Sequence, residues 1–342
     1  FVGRPFPLEE GHLHFARLQA WGLTFLRLVI TWEAVEHEGP GKYDEAYLEY
    51  LQGLVRMAGQ YGLSCFIDPH QDVWSRWTGG DGAPAWTLTA LGFDLQCLDW
   101  TGAALTYSRH VQPYPQMGWG TNYQKLATAT MFTLFFAGDD FAPRTRVIEV
   151  EGVPTRSKEE GVGTPVQEYL QGHYIRAMAR VAEALRGEPN VAGFDTLNEP
   201  SNGWVGYPDL GKECLPFRLG TVCTPFQTMQ LGSGVSHNLS FYSLPFVRTE
   251  TVSVNQYYRS AWVQGVSCVW KENGVWGDDP KGQPQLLRPH HFRRRPQRTA
   301  DPSPQPGEPE GVEIDFLRDY MAQPPATAYP SALPAIPKAW PP

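Results

Sequence analysis

Long apolar runs are missing from this sequence: the nearest to one is residues 131–137, far short of the roughly 20 apolar residues a membrane-spanning helix needs. Cysteine is scarce. Cys65, Cys97, Cys214, Cys223 and Cys268 are an odd number with no CxxC spacing, so neither a zinc knuckle nor a disulfide framework is indicated, and a reducing compartment fits best. No HExxH motif is present. Positive charge is also short, with 28 Lys and Arg against 36 Asp and Glu and a net charge of −8, which argues against a general polyanion binder and hence against nucleic acid as partner. A starting methionine is missing too, so a leader upstream of Phe1 would be invisible. What is present is 342 residues, 42% hydrophobic and 13% aromatic, enough for a sizeable buried core.

The first two hundred residues alternate helical and strand patterns, the signature of βαβ units and a parallel sheet. Residues 8–21 read as a helix closed by Gly22, and 23–30 (LTFLRLVI) as a strand covered on both faces. Residues 43–61 form a second helical pattern ending at Gly62, followed by strand 63–67. A long insertion from Gln71 to about Thr164 contains one predicted helix, 122–137, whose Phe132, Phe135 and Phe136 read as core. Residues 167–186 give the clearest amphipathic helix, and 191–197 (VAGFDTL) a third strand. Beyond Pro200 the periodicity weakens. About half of the 31 prolines lie from Pro280 onward, 288–310 has the composition of a disordered loop, and only 311–321 shows a brief helical signal before a Pro/Ala-rich end. The expected division is therefore a folded part over 1–287 and a Pro/Arg-rich, largely disordered end over 288–342.

Polar residues recur at the C-terminal ends of these predicted strands, the edge where side chains of an α/β barrel converge on one pocket. The first strand runs into Thr31-Trp32-Glu33, the second into Asp68-Pro69-His70-Gln71-Asp72, and the third into Asn198-Glu199-Pro200. A strand that delivers Asn and then Glu into a cleft supplies a carboxyl suited to acid chemistry by partial desolvation, beside an amide able to bond a sugar hydroxyl. Asn-Glu-Pro is also an ordinary turn sequence, but its place at the end of FDTL favours the site. His70 and Asp72 are too few for a metal site without a second cluster, since His290-His291 sits in the Pro/Arg-rich stretch and reads as solvated. They read better as hydrogen-bonding groups for a polyhydroxylated ligand, with Asp72 orienting or charging His70. The 12 Trp and 15 Tyr suit the same ligand, though many serve as core.

FLRLVITWEAVE, GKYDEAYLEYL, FIDPHQDVWSRWTGGDGAPAW and FDTLNEP together resemble glycoside hydrolase family 5, and within it the endoglycoceramidase-related branch. The segment WGTNYQKLATATMFTLFFAGDDFAP is similar to the fungal group that cleaves glucose from glucosylceramide and steryl glucosides. The likeness covers roughly residues 1–290. It implies a (β/α)8 TIM barrel, with Glu199 as general acid/base, Asn198 on the glycone 2-hydroxyl, His70 and Asp72 lining the glucose subsite, and Arg27 supporting the nucleophilic carboxylate. Read from its sequence alone, Arg27 is equally an interior charge paired with Asp68 or Glu33.

A retaining mechanism needs a second carboxylate about 5–5.5 Å from the first. The family places it at the end of the seventh strand, and none of Glu213, Glu250, Glu272, Glu308, Glu310 and Glu313 ends an apolar strand. The nucleophile is therefore expected outside this chain, and the barrel is expected to lack its first strand and most of its second half. The resemblance implies a retaining β-glucosidase on lipid-linked glucosides that needs no cofactor. The competing readings are an endo-β-1,4-glucanase of the same family and an inactive carbohydrate- or lipid-binding fragment. Arg288, Arg293, Arg294, Arg295 and Arg298 offer a transient contact with an anionic membrane, against their reading as a solvated loop. Oligomeric state and compartment are not assigned.

Overall fold

The structure, a computed structural model, describes residues 4–106, 118–213 and 218–293. Helix α1 (Gly11–Ala20) leads through a turn at Gly22 (φ 77°) into β1 (Phe25–Thr31). The side chain of Thr31 accepts from Ala34 N and starts the short α2 (Trp32–Glu36). Asp44 caps α3 (Glu45–Gln60) in the same way, and its stripe of Leu48, Leu51, Leu54, Val55 and Ala58 is buried. β2 (Ser64–His70) then pairs parallel to β1, Phe25 to Thr31 against Ser64 to His70.

The insertion carries α4 (Ala85–Ala90) and α5 (Leu126–Phe141), the latter apolar nearly all round and buried nearly all round, with Phe132, Phe135 and Phe136 in the core. A small antiparallel sheet follows, β3 (Arg146–Val150), β4 (Val153–Arg156) and β5 (Thr164–Pro165), which the hydrophobic periodicity did not signal. Helix α6 (Val166–Ala184) returns the chain to β6 (Val191–Phe194), parallel to β2 on the side away from β1. This strand–helix–strand winding puts β2 at the centre of a three-stranded parallel sheet with helices behind it.

The region after Pro200 is not featureless. β7 (Gly220–Val222), helix α7 (Pro225–Gly232) with its Thr224/Gln227 capping box, and the long hairpin β8 (His237–Leu244) and β9 (Val247–Val254) form a second antiparallel layer. The short α8 (Val269–Glu272) and the ribbon β10 (Trp276–Asp278) with β11 (Pro284–Leu286) complete the described chain. The stretch expected to begin as a solvated loop at Arg288 instead docks. Phe292 is fully buried against Phe141, Trp204 and Trp270, His290 bonds Pro208 O at 2.6 Å, and His291 bonds Phe141 O at 2.9 Å. A single aromatic with a pocket to fill outweighs the polar composition around it. Residues 294–342, including Arg294, Arg295, Arg298 and the predicted helix 311–321, lie outside the described residues. Among the described residues no helix is long and apolar enough to cross a membrane, and Cys65, Cys97, Cys223 and Cys268 are free thiols.

One expectation about β1 fails in an informative way. Its residues alternate, with Leu26, Leu28 and Ile30 turned to the helices and Phe25, Arg27 and Val29 to the opposite face. On that face Phe25 is 58% exposed and Val29 46%, and Phe194 on β6 is 44% exposed. The sheet is covered on its helix side and open on the other, because the described residues supply three strands and nothing that packs across them.

Candidate active site

The open face of the sheet carries the polar residues. Strand alternation sets Phe66, Asp68 and His70 of β2 on one side, next to Arg27 of β1, whose register partner is Phe66. Asp68 is fully buried, and its Oδ2 accepts from Arg27 Nη2 at 2.9 Å and from His70 Nδ1 at 2.9 Å. The same Arg27 nitrogen donates to Asn198 Oδ1 at 2.6 Å. Arg27 is thus no interior charge: its side chain is 53% exposed, and it ties the end of β2 to the segment after β6. Glu33, the other partner considered for it, accepts instead from Arg76 Nε at 2.8 and 3.0 Å.

Backbone pairing continues past the last residue of β6, with Asp195 N bonded to Ile67 O and Asn198 N to Pro69 O. Gln71 locks this junction, its Nε2 donating to Asn198 O at 2.9 Å and Glu199 O at 2.8 Å while its Oε1 accepts from Trp74 N. Asn198 Nδ2 returns a bond to Gln71 O at 3.2 Å. Glu199 follows in a left-handed conformation (φ 38°), and Val73 and Trp74 are also left-handed at 47° and 81°. For Val and Trp that region is a genuine outlier, and three such residues around one junction mark stored strain of the kind that collects at functional sites. Glu199 is exposed, so the desolvation expected of it is not provided by the described residues.

A loop of GGDGAP closes the far side. Asp72 and Asp81 pair through their backbones (Asp72 N to Asp81 O 3.2 Å, Asp81 N to Asp72 O 3.1 Å), an approach that Gly82 at φ 120° permits, since a Cβ there would meet Gln71 Cβ at 2.5 Å. His70 Nε2 stands 3.6 Å from Asp72 Oδ2. His70 is oriented by Asp68 rather than by Asp72, the partner expected from sequence; one strand position two residues back lies on the same face, whereas Asp72 has already left the strand. The ligating atoms of His70, Asp72 and Asp81 lie within 4.8 Å of one another, a spacing that suits the hydroxyls of one sugar and that would also admit a cation. Nothing else about the three, one of whose imidazole nitrogens is committed to Asp68, points to an ion.

Sequence reasoning missed Asp81 and Tyr123, and named Asp68 as a possible partner of Arg27 but not of His70. Asp68 was readable from strand alternation with His70, and Asp81 from the glycines around it. Tyr123, fifty residues on, carried no signal. Burial raises its phenol above the ordinary range, opposed by bonds to the Val73 backbone and the Gln71 side chain, while the charges of Asp72 and Glu199 raise it further. The tryptophans around the junction are core rather than sugar platforms: Trp32, Trp74 and Trp86 are buried and meet edge to face at 5.4–6.3 Å. Beneath His70, Trp32, Trp74, Phe132, Phe135 and Tyr174 line a cavity of about 20 Å³, room for about one water.

Asp81 carries a prediction. Burial, then the charge of Asp72, raises its carboxyl above the ordinary range, and His70 opposes this. A carboxyl raised in the folded state binds its proton more tightly folded than unfolded, so its ionisation destabilises the fold. Asp81→Asn is therefore expected to raise Tm by a few degrees at neutral pH, with the gain fading as pH falls from the raised folded-state value and gone below the ordinary carboxylate range, about 4. Thermal melts at several pH values check this, and an equal gain at acid pH contradicts it.

Comparison with known proteins bears on the same residues. Residues 10–136 match the family model described as Cellulase (glycosyl hydrolase family 5). A glucosylceramidase of Rhizopus delemar is 40% identical over 347 residues, covering 99% of this chain and 46% of that protein. An ergosteryl-beta-glucosidase of Saccharomyces cerevisiae is 33% identical over 340 residues, covering 85% of this chain and 42% of that one. The crystal structure of Cryptococcus neoformans sterylglucosidase 1 superposes with a TM-score of 0.75 at 33% identity, over 85% of this chain and 43% of that one. The chain spans less than half the length of these curated relatives.

Proposed function

Residues 10–136 belong to glycosyl hydrolase family 5, whose fold is the (β/α)8 barrel, and from that premise we propose that the chain bears the acid/base half of a retaining β-glucosidase acting on a lipid-linked glucoside, glucosylceramide or a steryl β-glucoside. The observation that carries this reading is the junction of Asp68, Arg27 and Asn198 immediately before Glu199, at the C-terminal ends of parallel strands. The likeness to proteins named glucosylceramidase and ergosteryl-beta-glucosidase supports the choice of substrate class.

Glu199 then protonates the glycosidic oxygen as its bond to the anomeric carbon breaks, and the ceramide or sterol alcohol leaves. A second carboxylate captures the oxocarbenium-like centre, and Glu199, now ionised, takes the proton of the water that releases glucose. Arg27 fixes the amide of Asn198, leaving Asn198 Nδ2 with one hydrogen for the sugar. His70, Asp72 and Asp81 hold the remaining hydroxyls. We expect the second carboxylate from outside the described residues, a reading supported by the places of Glu250 on the exposed β9, Glu272 on α8 and Glu213 in a loop.

Two assays test the reading. Residues 1–342 alone are expected not to turn over a fluorogenic β-glucoside, and turnover would place the nucleophile within this chain. A form extended to the length of the fungal relatives is expected to release glucose from glucosylceramide, a steryl β-glucoside or both. Cleavage of carboxymethyl-cellulose without glucose from either lipid would instead favour the endo-β-1,4-glucanase, and sugar binding with no cleavage the inactive module.

A further inference from the structure

We infer that Asp68 is a positioning residue that holds neutral His70 as its Nδ1–H tautomer, so that His70 faces the sugar with a bare Nε2 lone pair and accepts a hydroxyl proton rather than donating one. The consequence for sugar binding rests on the glycosidase reading, whereas the tautomer itself does not.

Counting hydrogens on the three side chains decides the tautomer. His70 Nδ1 lies 2.9 Å from Asp68 Oδ2 and 3.5 Å from Arg27 Nη2. A carboxylate oxygen only accepts, so the 2.9 Å contact requires a hydrogen on Nδ1. The alternative, a bare Nδ1 accepting from Arg27, lacks a donor. Arg27 Nη2 has two hydrogens, and both are directed at nearer acceptors, Asp68 Oδ2 at 2.9 Å and Asn198 Oδ1 at 2.6 Å. Asp68 is well placed to impose this choice. It is fully buried, its Oδ1 has no hydrogen-bond partner among the described residues, and among them its charge is answered through the one oxygen shared by Arg27 and His70.

With Nδ1 committed, Nε2 points toward Asp72 Oδ2 at 3.6 Å, too long for a good hydrogen bond. An imidazole lone pair beside a carboxylate is a pair of acceptors with no donor between them, and a ligand hydroxyl supplies what is missing. The subsite therefore selects groups that give protons, which a sugar ring has in number.

The test is the ¹⁵N spectrum of the histidine side chains of residues 1–342, recorded well above the ordinary imidazole titration range. Wild type is expected to show Nδ1 protonated and Nε2 bare at His70. Asp68→Ala is expected to turn His70 over to the Nε2–H form, the one a free imidazole prefers. Asp72→Ala is expected to leave the Nδ1–H form in place. His173, whose Nδ1 bonds Glu36 at 3.0 Å far from Asp68 in sequence, serves as the control for folding in each variant. An Nε2–H form in wild type, or an Nδ1–H form that survives Asp68→Ala or is lost in Asp72→Ala, overturns the assignment. The wild-type and Asp72→Ala spectra decide the matter even where Asp68→Ala does not fold. None of these spectra needs glycosidase activity, so a failure of the assays above leaves the result readable.

Discussion

Glu199→Gln is expected to slow the release of glucose from a lipid glucoside by about 10²–10⁴-fold, the usual contribution of a positioned general acid. The size of the loss depends on the leaving group. A ceramide or sterol alkoxide is a poor leaving group and needs its proton as the bond breaks. An activated aryl oxide leaves unaided, so formation of the glucosyl-enzyme from an aryl β-glucoside should be far less affected. The side chain keeps its shape in this substitution, and the backbone contacts of the residue, chiefly Gln71 Nε2 on its carbonyl, are untouched. Steady-state rates on both substrate types in a form carrying the second carboxylate check this. Equal losses on the two would remove Glu199 from the acid role.

Arg27→Ala is expected to destabilise the chain by about 2–4 kcal/mol, because it leaves the fully buried carboxylate of Asp68 with His70 alone and removes the anchor of Asn198. The expectation differs from the ordinary surface ion pair, worth ~1 kcal/mol or less, because one partner is out of water and has an oxygen with no bond among the described residues. Urea denaturation of residues 1–342 measures it. Arg17→Ala on the exposed side of α1 provides the comparison and should change stability by no more than about 0.5 kcal/mol. A similarly small effect at Arg27 would show that the junction is not held as described.

The elements that position this site were legible where packing imposes a regular period. β1, β2, α3, α5 and α6 each bury one face or nearly all faces, and their expected and observed limits differ by a few residues. The third strand was expected over 191–197 but keeps ladder geometry only to Phe194, since the junction beyond it bonds through Gln71 and single backbone contacts. The sheets at 146–165 and 220–254 were not legible for the opposite reason. β9 is exposed along most of its length, so its sequence VRTETVSV has no buried face to enforce alternation. Within the site, His70, Asp72, Asn198 and Glu199 were found by their place at strand ends, and Arg27, inside its strand, only through the resemblance to the family. The choice between Asp68 and Glu33 as partner of Arg27 was not legible, because it is decided by parallel register, a long-range property, whereas the Asp68–His70 pair lies within one strand.

The central claim is that Glu199 is the acid/base of a retaining enzyme rather than its nucleophile. It is tested most directly by giving Glu199→Ala, in a form extended to carry the second carboxylate, an activated aryl β-glucoside together with azide. Without the carboxyl, the glucosyl-enzyme waits for a nucleophile that needs no base. The account predicts that azide speeds turnover and that the product is β-glucosyl azide. An α-glucosyl azide would show that Glu199 is itself the nucleophile, and turnover untouched by azide would show that it is neither.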